Sequence, residues 1–141
     1  KRALNEAMHI NTIIREILFM TNAPVTKAAG VSVNSLLEET VLLIFRGMGG
    51  ENVNYNKRLA DGLPEIYGDA NALKQVFINI MQNSLEAMET LENEGALTVK
   101  TWFDAEKNMV VVNIIDTGVG ISKEMLPRVF EPFYGNKDQA W

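Results

Sequence analysis

Asp116-Thr117-Gly118-Val119-Gly120-Ile121 sets one carboxylate and two glycines directly behind an apolar run, residues 109–115. A strand that delivers a carboxylate to a glycine turn offers a planar heterocycle an acceptor for an exocyclic amine. The glycines remove the Cβ that would hold a ring or a phosphate away from the backbone. A second group, Asn79, Asn83 and Glu86, stands at i, i+4 and i+7. Two amides and a carboxylate in a row supply oxygen ligands for a hard cation such as Mg²⁺, which keeps some of its waters and bridges to phosphates. Taken singly, each group has a plainer reading: Asp-Thr-Gly is a good turn sequence, and amides also suit a solvated helix face.

The elements that position these groups are readable from pattern. Residues 68–88 carry a helix signature throughout, with Asp69 as N-cap and a helix over 69–90. At about 100° per residue, Leu73, Val76, Phe77, Ile80, Ser84, Ala87 and Met88 fall on one broad apolar face, and Gln75, Asn79, Asn83 and Glu86 gather on another. Residues 97–103 and 109–115 are β-branched runs joined by 104–108, a hairpin, and 52–59 is a weaker polar strand. Asn34 or Ser35 caps a helix over 34–46, with Glu38 completing a capping box from Ser35; this helix runs through Leu36, Leu37, Val41 and Ile44 to the glycines near 47–50. After the glycine turn, Met125-Leu126-Pro127-Arg128-Val129-Phe130-Glu131-Pro132-Phe133-Tyr134 packs two prolines and three aromatics into a short span. That composition suits a short helix over 122–130, a stop at Pro132 and aromatic anchors for a loop, or else an ordinary aromatic connection into the core.

Three of these segments in one order resemble the sensor histidine kinases. Asn79-Ile80-Met81-Gln82-Asn83-Ser84-Leu85-Glu86-Ala87 is similar to their N box, Asp116-Thr117-Gly118-Val119-Gly120-Ile121 to their G1 box, and Val129-Phe130-Glu131-Pro132-Phe133-Tyr134 to their F box. The resemblance covers about residues 33–137. It implies the Bergerat-type fold shared with gyrase and the heat-shock chaperones: an α/β two-layer sandwich with helices on one face of a mixed sheet, preceded by a single long helix. It also implies ATP and Mg²⁺. Asn83 would ligate the metal, and Asn79 would lie by the phosphates or support the metal shell, these two being the catalytic pair. Asp116 would take the adenine 6-amino group, with Gly118 and Gly120 lining the adenine and ribose side, and Glu86, Ile121, Phe130, Phe133 and Lys137 would complete the nucleotide-binding set. The ATPase relatives carry a catalytic glutamate one turn before the metal-binding asparagine, where this chain has Asn79. The resemblance therefore implies phosphotransfer to a protein histidine, then to a response-regulator aspartate. The rivals are a nucleotide-gated interaction module without catalysis and a gyrase- or chaperone-like ATPase.

The flanks divide the chain into three parts under the same resemblance. Residues 1–22 show an apolar stripe (Leu4, Met8, Ile13, Ile17) and would be the second helix of a dimerisation hairpin, giving a homodimer in the full-length protein. Residues 23–33 are the connector, with Ala23-Pro24 ending the helix. Residues 34–141 are the ATP-binding catalytic domain, cut at the lid: a second glycine-rich box does not follow, and Tyr134-Gly135-Asn136-Lys137 departs from the usual pattern. His9 lacks the acid and the Asn-Pro that follow a phosphoacceptor histidine, so the acceptor is expected on a separate helix.

Composition bounds the rest. The chain has 141 residues, 47% of them hydrophobic, enough for one core and short for two domains. It contains no cysteine, so neither disulfides nor thiolate zinc sites are available. A net charge of −5 with interspersed signs argues against a nucleic-acid partner. No run approaches about 18 apolar residues, so the expected location is cytoplasmic, with any membrane tether in segments outside this chain.

Overall fold

The computed structural model describes residues 28–47, 53–89 and 94–129. Within them the order is β1 (Ala29–Val31), α1 (Val33–Gly47), β2 (Val53–Arg58), β3 (Ile66–Gly68), α2 (Ala70–Met88), β4 (Gly95–Asp104), β5 (Met109–Asp116) and a 3-10 turn (Leu126–Arg128). The helix read over residues 1–22, His9 and the aromatic segment from Phe130 onward lie outside the described residues.

The main sheet is mixed, with order β2-β4-β5: β2 runs parallel to β4, and β4 pairs antiparallel with β5 from Asp104↔Met109 to Leu97↔Asp116. The β4–β5 connection is tight because Asn108 adopts a left-handed φ of 52°, which asparagine tolerates, and the Asp104 carboxylate accepts the Lys107 N–H at 3.1 Å. A separate two-stranded ribbon joins β1 to β3 antiparallel, through Ala29↔Gly68 and Val31↔Ile66. Both strands are three residues long and were not expected from the sequence; β1 falls within the segment read as connector.

The helices lie on one face of the main sheet, giving two layers. Alternate β4 residues Leu97, Val99 and Thr101 point into the core, where they meet Leu37 and Ile44 of α1 and Phe77, Met81 and Leu85 of α2. Thr101 is the polar member of this layer and is fully used: its hydroxyl donates to Asn34 Oδ1 at 2.9 Å and accepts the Ala60 N–H at 3.1 Å. Asn34 Nδ2 then donates to the Ala60 carbonyl at 2.8 Å, closing a ring that joins α1, β4 and the loop after β2.

Two details of the helices differ from the sequence reading. The cap of α1 is Ser32, whose carbonyl accepts the Leu36 N–H at 3.1 Å and whose Oγ accepts the Ser35 N–H at 3.5 Å. Asn34 is taken up by Ala60 and Thr101, and Glu38 pairs with Lys57 at 2.6 Å, so no capping box forms from Ser35. In α2 the buried stripe is Phe77, Met81, Ser84, Leu85 and Met88, while Val76 and Ile80 remain 45% and 42% exposed. The helix touches α1 as well as β4 and β5, and seating it in that corner turns Met81 and Leu85 inward. Asp69 caps α2 as expected, accepting the N–H groups of Asn71 and Ala72 at 2.8 and 3.2 Å. Of the region read as a short helix over 122–130, the described residues 122–129 contain only the 3-10 turn. Among the described residues no helix is long and apolar enough to cross a membrane.

Candidate nucleotide-binding site

Asp116 is the last residue of β5 and is exposed. Its Oδ1 accepts the Gly118 N–H at 2.9 Å, an Asx turn that bends the chain out of the sheet. Among the described residues the second carboxylate oxygen has no partner, so the turn leaves an acceptor available. Gly120 follows with a φ of +74°, the left-handed region that a side chain disfavours by about 1–2 kcal/mol. Ile121, like Val119, is exposed.

The loop does not hang freely from β5. Val119 donates its N–H to the Ala87 carbonyl of α2 at 3.1 Å, and Gly118 lies against Ala87 so closely that a Cβ there would sit 2.6 Å from the Ala87 Cβ. Ala87 is one helical turn beyond Asn83. The glycine turn and the amide-bearing helix, read separately in the sequence, are therefore fastened to each other.

On α2, Asn83 and Glu86 are exposed and Asn79 is half-buried. Gln75, one turn earlier, donates its side-chain amide to Asn79 Oδ1 at 2.7 Å, which fixes the orientation of the Asn79 amide. Asp116, Gly118 and Gly120 are thus brought to the C-terminal half of α2, where Asn79, Asn83 and Glu86 project. Phe130, Phe133 and Lys137 lie outside the described residues. Among the described residues no cluster of three His, Cys, Asp or Glu side chains could hold a metal. A cation here would depend on amide oxygens, waters and the ligand's own phosphates, a donor set that suits Mg²⁺.

Three contributors were given no site role in the sequence reading, although Gln75 was grouped with Asn79, Asn83 and Glu86 on the polar face. Gln75 had a readable signal, an amide four residues before Asn79 on the same helix face. Ala87 and Thr117 had none, because their contacts, main-chain at Ala87 and partly through the hydroxyl at Thr117, exist only once α2 packs beside β4 and β5.

The chain is 30% identical over 136 residues to sporulation kinase E of Bacillus subtilis (strain 168), an alignment covering 96% of this chain and 18% of that kinase. Among curated relatives it matches, the chain spans between 14% and 31% of their length. The fold superposes on the histidine kinase ThkA, solved in complex with the response regulator protein TrrA, with a TM-score of 0.74 at 24% identity, covering 94% of this chain and 38% of that one. It also superposes on the isolated catalytic domain of ThkA in a nucleotide-free form, with a TM-score of 0.67 at 22% identity over 77% of this chain and 72% of that one. The family model described as histidine kinase-, DNA gyrase B- and HSP90-like ATPase matches residues 68–140, a span that holds α2, the hairpin and the glycine turn, and the chain belongs to that family.

Proposed function

We propose that the chain is the ATP-binding catalytic part of a two-component sensor histidine kinase. The observation that carries this reading is the Val119 to Ala87 bond of 3.1 Å, which fastens the turn bearing Asp116 to the helix bearing Asn79 and Asn83. A base-recognition group and a phosphate-side group then share one rigid frame, as phosphoryl transfer requires, since catalysis of that reaction is mostly positioning and charge stabilisation. The relatives named as kinases, and the ThkA structure with its response regulator, support the same assignment.

In this reading the free Asp116 oxygen accepts the adenine 6-amino group. Gly118 and Gly120 let the base and ribose approach the main chain, with Ile121 packing beside them. Asn83 would hold Mg²⁺, which neutralises phosphate charge when bound. Asn79, oriented by Gln75, lies on the phosphate side, and Glu86 stands at the rim. Phe130, Phe133 and Lys137 belong to the same proposal as further nucleotide-binding residues. The bond between the γ-phosphorus and the β,γ-bridging oxygen breaks, a bond to an imidazole nitrogen on a separate helix forms, and ADP leaves. The phosphoryl group then passes to an aspartate of a response regulator. No carboxylate occupies position 79 to activate water, which favours transfer over hydrolysis.

Adenine is preferred over guanine, because guanine presents a carbonyl to the Asp116 carboxylate. Two facing acceptors cost on the order of 1–3 kcal/mol. Calorimetric titration of the chain with ADP and Mg²⁺, beside Asp116→Asn and Asn83→Ala, tests the assignment. Binding that is lost with Asp116→Asn and weakened with Asn83→Ala is the expected result. Equal affinity for adenine and guanine nucleotides, or binding indifferent to Asp116→Asn, would remove Asp116 from its role.

A further inference from the structure

We infer that Thr117 is a positioning residue that sets the adenine specificity of Asp116, using its side chain in place of its main-chain carbonyl at the point where β5 leaves the sheet. This rests on the proposed role of Asp116 in binding adenine.

The β4–β5 ladder runs in register to Leu97↔Asp116, so the next rung is Ala96 opposite Thr117. A continuing antiparallel ladder would exchange two main-chain bonds there. One is present: Thr117 N–H donates to the Ala96 carbonyl at 3.2 Å. The reciprocal Ala96 N–H instead donates to Thr117 Oγ1 at 2.9 Å. The hydroxyl thus satisfies the β4 donor that the carbonyl would otherwise serve, and the peptide after Thr117 is released to turn away.

The release is used at once. Gly118 N–H closes the turn onto Asp116 Oδ1 at 2.9 Å, and Val119 N–H reaches the Ala87 carbonyl at 3.1 Å. The Thr117 hydroxyl donates in turn to Met88 Sδ at 3.7 Å, so one oxygen spans β4 and α2. Asp116 sits on the Leu97 rung, directly next to this modified one. A Thr117→Val chain has the same shape without the hydroxyl, leaving Ala96 N–H to capture the main-chain carbonyl of residue 117. That capture draws the loop toward β4 and pulls Val119 from Ala87.

The test compares the chain with Thr117→Val and Thr117→Ser, titrating each with ADP and with inosine diphosphate, which carries a carbonyl in place of the amine. The unaltered chain and Thr117→Ser are expected to prefer ADP. In Thr117→Val the ADP affinity falls roughly tenfold and the preference collapses toward equality. Amide hydrogen exchange without nucleotide supplies a second readout: the Val119 amide is protected in the unaltered chain and in Thr117→Ser, and exchanges fast in Thr117→Val. A third needs no substitution. Trans-hydrogen-bond NMR couplings should link Thr117 N–H to the Ala96 carbonyl and Val119 N–H to the Ala87 carbonyl, with none from Ala96 N–H to the Thr117 carbonyl. A coupling to the Thr117 carbonyl, an undiminished ADP preference in Thr117→Val, or equal losses for both nucleotides would each overturn the proposal. An unaltered chain that binds ADP no better than inosine diphosphate would instead overturn the role of Asp116, and the specificity assigned to Thr117 with it.

Discussion

Gly118 rests directly on Ala87: a Cβ at position 118 would meet the Ala87 Cβ at 2.6 Å and the Ala87 carbonyl oxygen at 2.8 Å. Two of the three nearest atoms are main chain, the Ala87 carbonyl oxygen and carbon, and these cannot move without disturbing α2. Gly118→Ala is therefore expected to cost about 1–3 kcal/mol by overpacking and to abolish nucleotide binding together with the Val119 to Ala87 bond. Adding Ala87→Gly should recover only part of the stability, because the carbonyl clash remains. Gly120 provides the contrast. It has open space around its Cβ position and a φ of +74°, so Gly120→Ala should cost about 1–2 kcal/mol of backbone strain and Gly120→Asn less. Urea unfolding of the four variants beside ADP titration separates steric conflict from strain.

Tyr55 packs its ring on Phe45, with centroids 5.5 Å apart, while its buried hydroxyl has no hydrogen-bond partner among the described residues. An unsatisfied buried hydroxyl is a cost that a hydrogen in its place would remove. Tyr55→Phe is expected to be as stable as the unaltered chain, or more stable by up to about 1 kcal/mol. The alkaline limb gives a second readout. Burial raises the Tyr55 pKa above the usual tyrosine value, outweighing the lowering by Lys57, while Glu38 raises it slightly. A raised folded pKa means that the contribution is complete below the unfolded pKa and lost as pH rises through the folded one. The alkaline decline in melting temperature should thus be shallower in Tyr55→Phe. Lys57, itself raised by its hydrogen bond to Glu38, continues to contribute a decline of the same sign in both chains.

The parts of the fold legible in the sequence are those determined locally. Asp69 caps α2 through N–H groups two and three residues away, and the hairpin at 105–108 turns on Asp104 and Asn108. The cap of α1 was misplaced because Asn34, a good capping residue by type, is recruited by Ala60 and Thr101, 26 and 67 residues away. Periodicity named the right helix at α2 but not the corner it fills, so Met81 and Leu85 were missed and Val76 and Ile80 wrongly placed inside. Three-residue strands such as β1 and β3 carry too few residues to show a period. At the site, Asp116 and the two glycines were readable by residue type. Their attachment to Ala87 and Ala96 was not, because it exists only once α2 lies beside the end of β5.

The ring of Asn34, Ala60 and Thr101 is buried at the threonine, which is only 4% exposed. Thr101→Val keeps the shape but strands the Ala60 N–H and one lone pair of Asn34. The expected loss is about 1–3 kcal/mol, and Thr101→Ser, which keeps the hydroxyl, should avoid most of that loss. Asn34→Ala breaks the same ring from the other side, so the double substitution should cost clearly less than the sum of the two single ones. Additive losses would mean that the three groups do not act as a unit. Because the ring lies away from Asp116 in the fold, ADP affinity of the folded fraction should be unchanged.

Gln75 offers the opposite case, a residue whose loss should affect ligand more than stability. Its amide donates to Asn79 Oδ1 at 2.7 Å from one turn earlier on a partly exposed helix face, a position where a single side-chain bond contributes only a few tenths of a kcal/mol to the helix. Gln75→Ala should leave the melting temperature within about 2 °C of the unaltered chain. With the Asn79 amide free to rotate, its oxygen is no longer held in one direction. Under the proposed function that orientation matters on the phosphate side and not at the base. The loss should therefore appear in the affinity for Mg-ATP, on the order of threefold to tenfold, and be absent for adenosine, which carries no phosphate. Gln75→Glu is the sharper variant: a carboxylate cannot donate to Asn79 Oδ1, so the Asn79 amide must flip to present its NH₂ group toward position 75. That turns its oxygen toward the phosphate side, and the added charge repels the nucleotide. Mg-ATP affinity should fall further than in Gln75→Ala at low salt and partly recover as ionic strength screens the charge. A parallel loss for adenosine would place Gln75 in the scaffold of α2, with no hold on the phosphate side of the site.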